Sequence, residues 1–161
     1  MTAGPLPGVV RRSALGEDLT EEDCQALAGS MTVRKLANGE ALFEEGESHD
    51  SLFLLACGRL TVNRGVAAGE ELTLHVMNAG AIAGEMSFVD GTPHIATLRS
   101  AGESEVYVLR REDFESLVES NPWLVYRVMR SIIRTVHATL LRMSQQFVEL
   151  QNYVTKSHGR Y

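Results

Sequence analysis

Between Met31 and Arg111 the sequence repeats one unit, a short run of strand-forming residues followed by a turn. Most of these turns contain glycine. Short strands at such regular spacing predict an antiparallel sandwich or roll. We therefore expect an α+β protein built on a jelly-roll-like antiparallel β-roll of about eight strands. The runs are MTVRKL, ALFEE, SLFLLAC, RLTVNR, ELTLHVM, IATLRS and EVYVLRR.

The residues before the strands predict a loose arm and one short helix. Residues 1–18 are rich in Gly, Pro and small side chains, and we expect them to form a flexible N-terminal arm. Thr20 is followed by three acidic residues, a pattern typical of a helix N-cap and first turn. The ordered roll, 19–121, is therefore expected to begin with this helix. Gly29 is expected to end the helix in the left-handed conformation.

After Arg111 the hydrophobic period becomes helical, first in EDFESLVES and then in one long segment. Asn121-Pro122 is a helix-start signal, because proline is tolerated in the first turn. After Pro122, the rest of the segment 122–155 contains neither Gly nor Pro, so it predicts a helix about 50 Å long at about 1.5 Å per residue. Residues 156–161 are left as a tail.

The long helix carries a regular apolar seam. Its apolar positions alternate steps of four and three residues, which is the spacing of a coiled coil. The first turns, with Trp123 and Leu124, are expected to pack on the roll, and a helix lying wholly on its own roll is the alternative. An unpaired apolar seam favours aggregation, so we predict a parallel homodimer through Met129, Ile133, Val136, Leu140, Met143, Phe147, Leu150 and Val154.

Charge and composition argue against several classes of protein. The formal net charge of -6 repels the phosphates of nucleic acids and of anionic membranes. No apolar run is long enough for a membrane span, and no secretory h-region precedes Arg11. Arg127, Arg130 and Arg134 form a cationic stripe, but no helix-turn-helix follows the long helix. We expect a cytoplasmic protein with no direct DNA binding and no membrane contact.

One stretch, residues 80–100, combines features of a binding site. It places Gly84 and Glu85 at the start of a short helical run, then a Gly91-Thr92-Pro93 turn, and then His94 at the start of a strand. Glycine at a helix N-terminus lets a ligand approach the backbone, and the free N–H groups there attract anions. The Glu85 carboxylate can accept hydrogen bonds from a sugar hydroxyl.

This stretch resembles the phosphate-binding cassette of the cyclic nucleotide-binding domain family, in the form found in catabolite activator-like sensors. Residues 38–47 and 51–60 also resemble that family's turns and paired strands, and the similarity covers residues 20–150. The resemblance implies a regulatory sensor, not an enzyme, that binds cyclic AMP or cyclic GMP and needs no cofactor or metal. It implies ligand contacts from Gly84, Glu85, Met86 and Ser87, and a base contact from Thr139.

The sequence departs from the family pattern at two positions. His94 stands where the family has a phosphate-binding arginine, and Ile95 replaces a small residue. Losing one charge-assisted hydrogen bond costs about 1.5 to 3 kcal/mol, or roughly 10- to 150-fold in affinity. His94 either remains an anion contact that strengthens on protonation, or lies in a pocket that no longer binds phosphate.

Three further interpretations follow from the residues. The chain is either a sensor of a nucleotide or another small anionic ligand, or a scaffold of the same fold that has lost nucleotide binding and serves dimerisation. In both cases an effector protein is expected as a partner. A metal-dependent β-barrel enzyme is the third, but His49, His75 and His94 are scattered and no His-x-His pair occurs.

Overall fold

Eight antiparallel strands in two four-stranded sheets form the roll, in a computed structural model that describes residues 3–158. The strands are β1 Thr32–Leu36, β2 Ala41–Phe43, β3 Ser51–Cys57, β4 Arg59–Gly65, β5 Glu71–Asn78, β6 Ile82–Ala83, β7 Thr97–Ser100 and β8 Ser104–Arg110. Their orders in the two sheets are β1-β8-β3-β6 and β2-β7-β4-β5. All seven predicted runs form strands, so the predicted roll is confirmed.

The first sheet lies between two apolar clusters, and its central strands are therefore buried on both faces. Leu52 and Leu54 of β3 pack with the helices, whereas Phe53 and Leu55 point into the roll. These four side chains are at most 4% exposed. A strand buried on both faces loses the usual alternation of polar and apolar residues, which explains the continuous apolar run SLFLLAC.

The N-terminal segment differs from the predicted loose arm. Residues Pro7–Arg11 form helix α1, and the side chains of Val10 and Leu15 are fully buried in the core. The Ala14 N–H donates to the Gly80 carbonyl at 2.8 Å. Burial of these apolar side chains outweighs the weak helix propensity of a segment rich in Gly and Pro. Residues 1 and 2 of the predicted arm lie outside the described residues.

Helix α2, Glu21–Gly29, begins as predicted and ends differently. Thr20 caps it, and its hydroxyl accepts from the Asp23 N–H at 3.1 Å while the Asp23 carboxylate accepts from the Thr20 N–H. Gly29 is not left-handed. It lies inside the helix, and Ser30 caps the end in the right-handed conformation through a bond from its N–H to the Leu27 carbonyl.

The C-terminal helices are α4 Arg111–Glu115, α5 Leu117–Ser120 and α6 Pro122–His158. Asn121 starts α6 by accepting a hydrogen bond from the Leu124 N–H at 3.2 Å. The helix continues past residue 155, so residues 156–158 of the predicted tail are helical, and residues 159–161 lie outside the described part. None of the described helices is both long and apolar enough to cross a membrane.

Helix α6 packs on the roll only along its first half. Leu124, Val128 and Ile132 are at most 2% exposed. Of the predicted seam, Met129 packs partly against the core and Val136 is half-buried. The remaining seam residues are exposed in the single chain: Ile133, Leu140, Met143, Phe147, Leu150 and Val154.

Three α6 arginines bind the N-terminal segment of the same chain. Arg127 lies 2.7 Å from the Asp23 carboxylate, Arg134 bonds Glu17 and Asp18, and Arg130 lies 3.8 Å from Asp18. The cationic stripe read from the sequence is therefore neutralised within the chain and anchors the first half of α6.

Candidate functional site

A cavity of about 370 Å³ lies between the roll, helix α3 (Glu85–Asp90) and the middle of α6. Pockets for small ligands commonly have volumes of about 300 to 1,000 Å³. Most of its lining is apolar, including Val62, Met77 and Leu98. The lining contains all seven residues singled out from the sequence: Gly84, Glu85, Met86, Ser87, His94, Ile95 and Thr139.

Gly84 forms the junction between β6 and α3, and the backbone there requires glycine. Its φ is 77°, in the left-handed region. A Cβ at this position would lie 3.1 Å from the Phe53 ring and 3.2 Å from the Ser51 carbonyl. Gly84 therefore lets α3 begin directly on β3. The first-turn N–H groups of such a helix have no backbone acceptor within the helix, and at Glu85 the carboxyl of the same residue accepts from the N–H.

Glu85 and Met86 follow Gly84 at the cavity wall. Glu85 is half-buried, and burial raises the pKa of its carboxyl, although a hydrogen bond with its own backbone N–H lowers it. Met86 is 47% exposed at the mouth of the cavity. A carboxyl that is costly to keep ionised gains from a hydrogen-bond donor, which a sugar hydroxyl would supply.

The Ser87 side chain forms hydrogen bonds within the protein. Its hydroxyl donates to the His49 carbonyl at 2.6 Å and accepts from the His49 N–H at 2.8 Å, and the residue is 1% exposed. The Arg111 guanidinium donates to the carbonyls of Ser87 and Phe88, both at 2.6 Å. The Ser87 side chain therefore joins α3 to the loop between β2 and β3. Sequence reasoning missed Arg111, which lies far from α3 along the chain.

His94 lies in a cluster that the sequence did not predict. Its ring stacks on Phe43 with centroids 3.6 Å apart, and its Nε2 lies 3.0 Å from Nδ1 of His49. His94 is 8% exposed. Burial and the neighbouring His49 lower the pKa of His94, while the Glu47 carboxylate raises it. The ring is therefore neutral at pH 7, and the family arginine's permanent charge is absent from this position.

Ile95 lies at the solvent-exposed edge of the cavity lining. It contributes to the lining but is 71% exposed, so it leaves the cavity open.

The α6 wall of the cavity consists of Thr135, Thr139 and Arg142. The Thr139 hydroxyl donates to the Thr135 carbonyl at 3.1 Å. The Arg142 guanidinium lies 3.5 Å from Nε2 of His75 on β5. The sequence analysis placed His75 among the scattered histidines and assigned no role to Arg142. Only their helix and strand positions relative to the cavity bring them together.

In the described part of the chain, no group of three or more His, Cys, Asp or Glu residues could hold a metal ion. Cys24 is buried and Cys57 exposed, and both are free thiols.

A family model and a curated relative match this architecture. The model described as "Cyclic nucleotide-binding domain" matches residues 33–121. The Cyclic AMP receptor protein of Thermus thermophilus is 25% identical over 146 residues, which are 90% of this chain and 68% of that protein. The chain spans only 58% of the next curated relative, from Mycobacterium tuberculosis.

Solved structures give the same fold. A cyclic nucleotide-binding domain from Methylobacillus flagellatus is similar with a TM-score of 0.78 and 25% identity, over 88% of this chain and 80% of that one. The regulatory domain of Toxoplasma gondii PKA, crystallised with cAMP, is similar with a TM-score of 0.61 and 26% identity, over 69% of this chain and 42% of that one.

Proposed function

Because this chain belongs to the cyclic nucleotide-binding domain family, we propose that it is a non-enzymatic cytoplasmic sensor of cyclic AMP or cyclic GMP. The observation that carries the proposal is the open cavity between α3 and α6, with Gly84 holding the α3 N-terminus against it. The nucleotide contacts the α3 backbone and Glu85, and Thr139 approaches the base. Two free cysteines are compatible with a reducing compartment.

The signal passes through a homodimer. The exposed seam of α6 pairs with the same seam of a second copy, and the ligand lies where the roll meets this helix. A ligand that contacts two helix settings unequally shifts the balance between them. An effector protein then binds one arrangement of the two paired helices in preference to the other.

Replacing His94 with arginine is expected to strengthen cyclic AMP binding by roughly 10- to 100-fold at pH 7.5. Arginine can stack on Phe43 as histidine does and adds a permanent donor fork for the phosphate. In the wild type, an anion favours protonated His94, so affinity rises as the pH falls toward the lowered pKa of unliganded His94, which lies below about 6.5, and levels off beneath that pKa. In His94→Arg this part of the pH dependence disappears.

Isothermal titration of wild type and His94→Arg with cyclic AMP and cyclic GMP, at pH 7.5 and 5.5, tests this. His137→Arg is the matched control, since it adds the same charge at an exposed position of α6 outside the cavity lining. Binding by neither form at millimolar nucleotide contradicts the nucleotide sensor.

A scaffold without nucleotide binding is the second candidate. It is favoured by the contacts of the His94 ring, which bonds His49 and stacks on Phe43 at the position where the family has a cationic arginine. The open cavity and the exposed Ile95 favour the sensor instead.

A further inference from the structure

The face of α6 that meets the roll changes character along the helix. Leu124, Val128 and Ile132 are apolar and buried. At the same helical spacing this face continues with Thr135, Thr139 and Arg142, which line the cavity. A helix that only packed on the roll would keep an apolar face, so the polar part needs another explanation.

Arg142 differs from the other arginines of α6. Arg127, Arg130 and Arg134 each have a carboxylate within 4.0 Å. Within residues 3–158, Arg142 has no carboxylate partner, and its guanidinium lies 3.5 Å from the Nε2 atom of His75. Half-buried at an apolar cavity that Glu85 also lines, its guanidinium presents donors and a charge that no carboxylate of the described chain pairs within 4.0 Å.

The other basic groups of the cavity are neutral at pH 7. Burial and the charge of Arg142 lower the pKa of His75. Burial and His49 lower the pKa of His94. Arg142 is the one lysine or arginine among the lining residues of the described chain. A permanent positive charge is therefore present at the α6 wall of the cavity.

We propose that Arg142 is an anion-binding residue of this cavity, and that the cavity takes a small monoanion with an aromatic or apolar body. The apolar lining accommodates the body, and the guanidinium binds the acidic group with charge-assisted hydrogen bonds. This rests on the proposed function only in using the same cavity as the ligand site. Cyclic nucleotides and aromatic sulfonates or carboxylates share this chemistry.

The test compares two dyes of similar shape and different charge. The anionic dye is 8-anilinonaphthalene-1-sulfonate, and the neutral one is N-phenyl-1-naphthylamine. Arg142→Met is expected to weaken the anionic dye by roughly 10- to 100-fold and to change the neutral dye by less than about 3-fold. The fluorescence of Arg142→Met is subtracted from that of the wild type, and only the difference is assigned to the cavity. Dye bound to the exposed α6 seam contributes equally to both proteins and is removed by the subtraction.

Arg130→Met is the control, because it removes the same charge from the same helix outside the cavity. Equal losses in the two arginine variants, or equal effects of Arg142→Met on both dyes, overturn the proposal.

Cyclic AMP separates this inference from the proposed function. Weaker cyclic AMP binding by Arg142→Met supports both. Cyclic AMP binding that Arg142→Met leaves unchanged contradicts the inference and leaves the proposed function standing. Absent cyclic AMP binding together with Arg142-dependent binding of the anionic dye supports the inference and contradicts the nucleotide sensor.

Discussion

Replacing both Leu140 and Phe147 with glutamate is expected to convert a dimer of this protein into monomers. The two side chains are 59% and 61% exposed in the single chain, and they lie two turns apart on the α6 seam. In a coiled coil, each would insert between residues of the facing helix. Glutamate there removes apolar burial and places like charges opposite each other at the interface.

The dissociation constant is expected to rise at least about 1,000-fold, which corresponds to about 4 kcal/mol. Sedimentation equilibrium over a range of protein concentrations measures it. Val148→Glu is the control, because Val148 is 54% exposed on the same helix but lies off the seam. The proposed interface is contradicted if the wild type is monomeric at every concentration measured. It is also contradicted if the Leu140→Glu, Phe147→Glu double variant remains as dimeric as the wild type.

Replacing Arg127 with methionine is expected to lower the free energy of unfolding by about 3 kcal/mol. Asp23 is 4% exposed, and its carboxylate lies 2.7 Å from the Arg127 guanidinium. Burial by itself raises the pKa of Asp23, but hydrogen bonds from Thr20 and Arg127 outweigh it and hold the pKa below its ordinary value. Without Arg127, a buried charge loses its partner.

Urea unfolding at pH 7 measures the loss. Arg130→Met is the control, since Arg130 is exposed and 3.8 Å from Asp18, and exposed pairs contribute about 0 to 1 kcal/mol. The contribution of Asp23 is present above its unfolded pKa, about 3.9, and is lost as the pH falls below it. A loss in Arg127→Met no larger than in Arg130→Met refutes this account of how α6 is anchored.

The parts of the fold that depend on local pattern could be predicted from the sequence. The strand runs, the Thr20 cap and the Asn121-Pro122 helix start each depend on residues a few positions apart. Helix α1, Pro7–Arg11, could not be predicted in this way. Val10 and Leu15 are buried because distant parts of the chain cover them, and a Gly- and Pro-rich composition does not encode that.

The candidate site shows the same division. Gly84 and Glu85 form one local motif, and the structure places them at the cavity. The pairing of His49 with His94 joins residues 45 positions apart, and that of Arg142 with His75 joins residues 67 positions apart. Single histidines carry no signal for such partners. The ligand contact predicted for Ser87 stays a prediction, and the bonds of its hydroxyl with the His49 backbone, 38 positions away, could not be predicted.

Hydrogen exchange of backbone amides, with and without saturating cyclic AMP, tests most directly whether a nucleotide occupies the cavity between α3 and α6. Exchange reports local opening, and a bound ligand slows it in the segments that it stabilises. We predict slower exchange in residues 84–88 and 132–143, with little change in β1. Unchanged exchange in both segments at about 1 mM nucleotide would contradict the account.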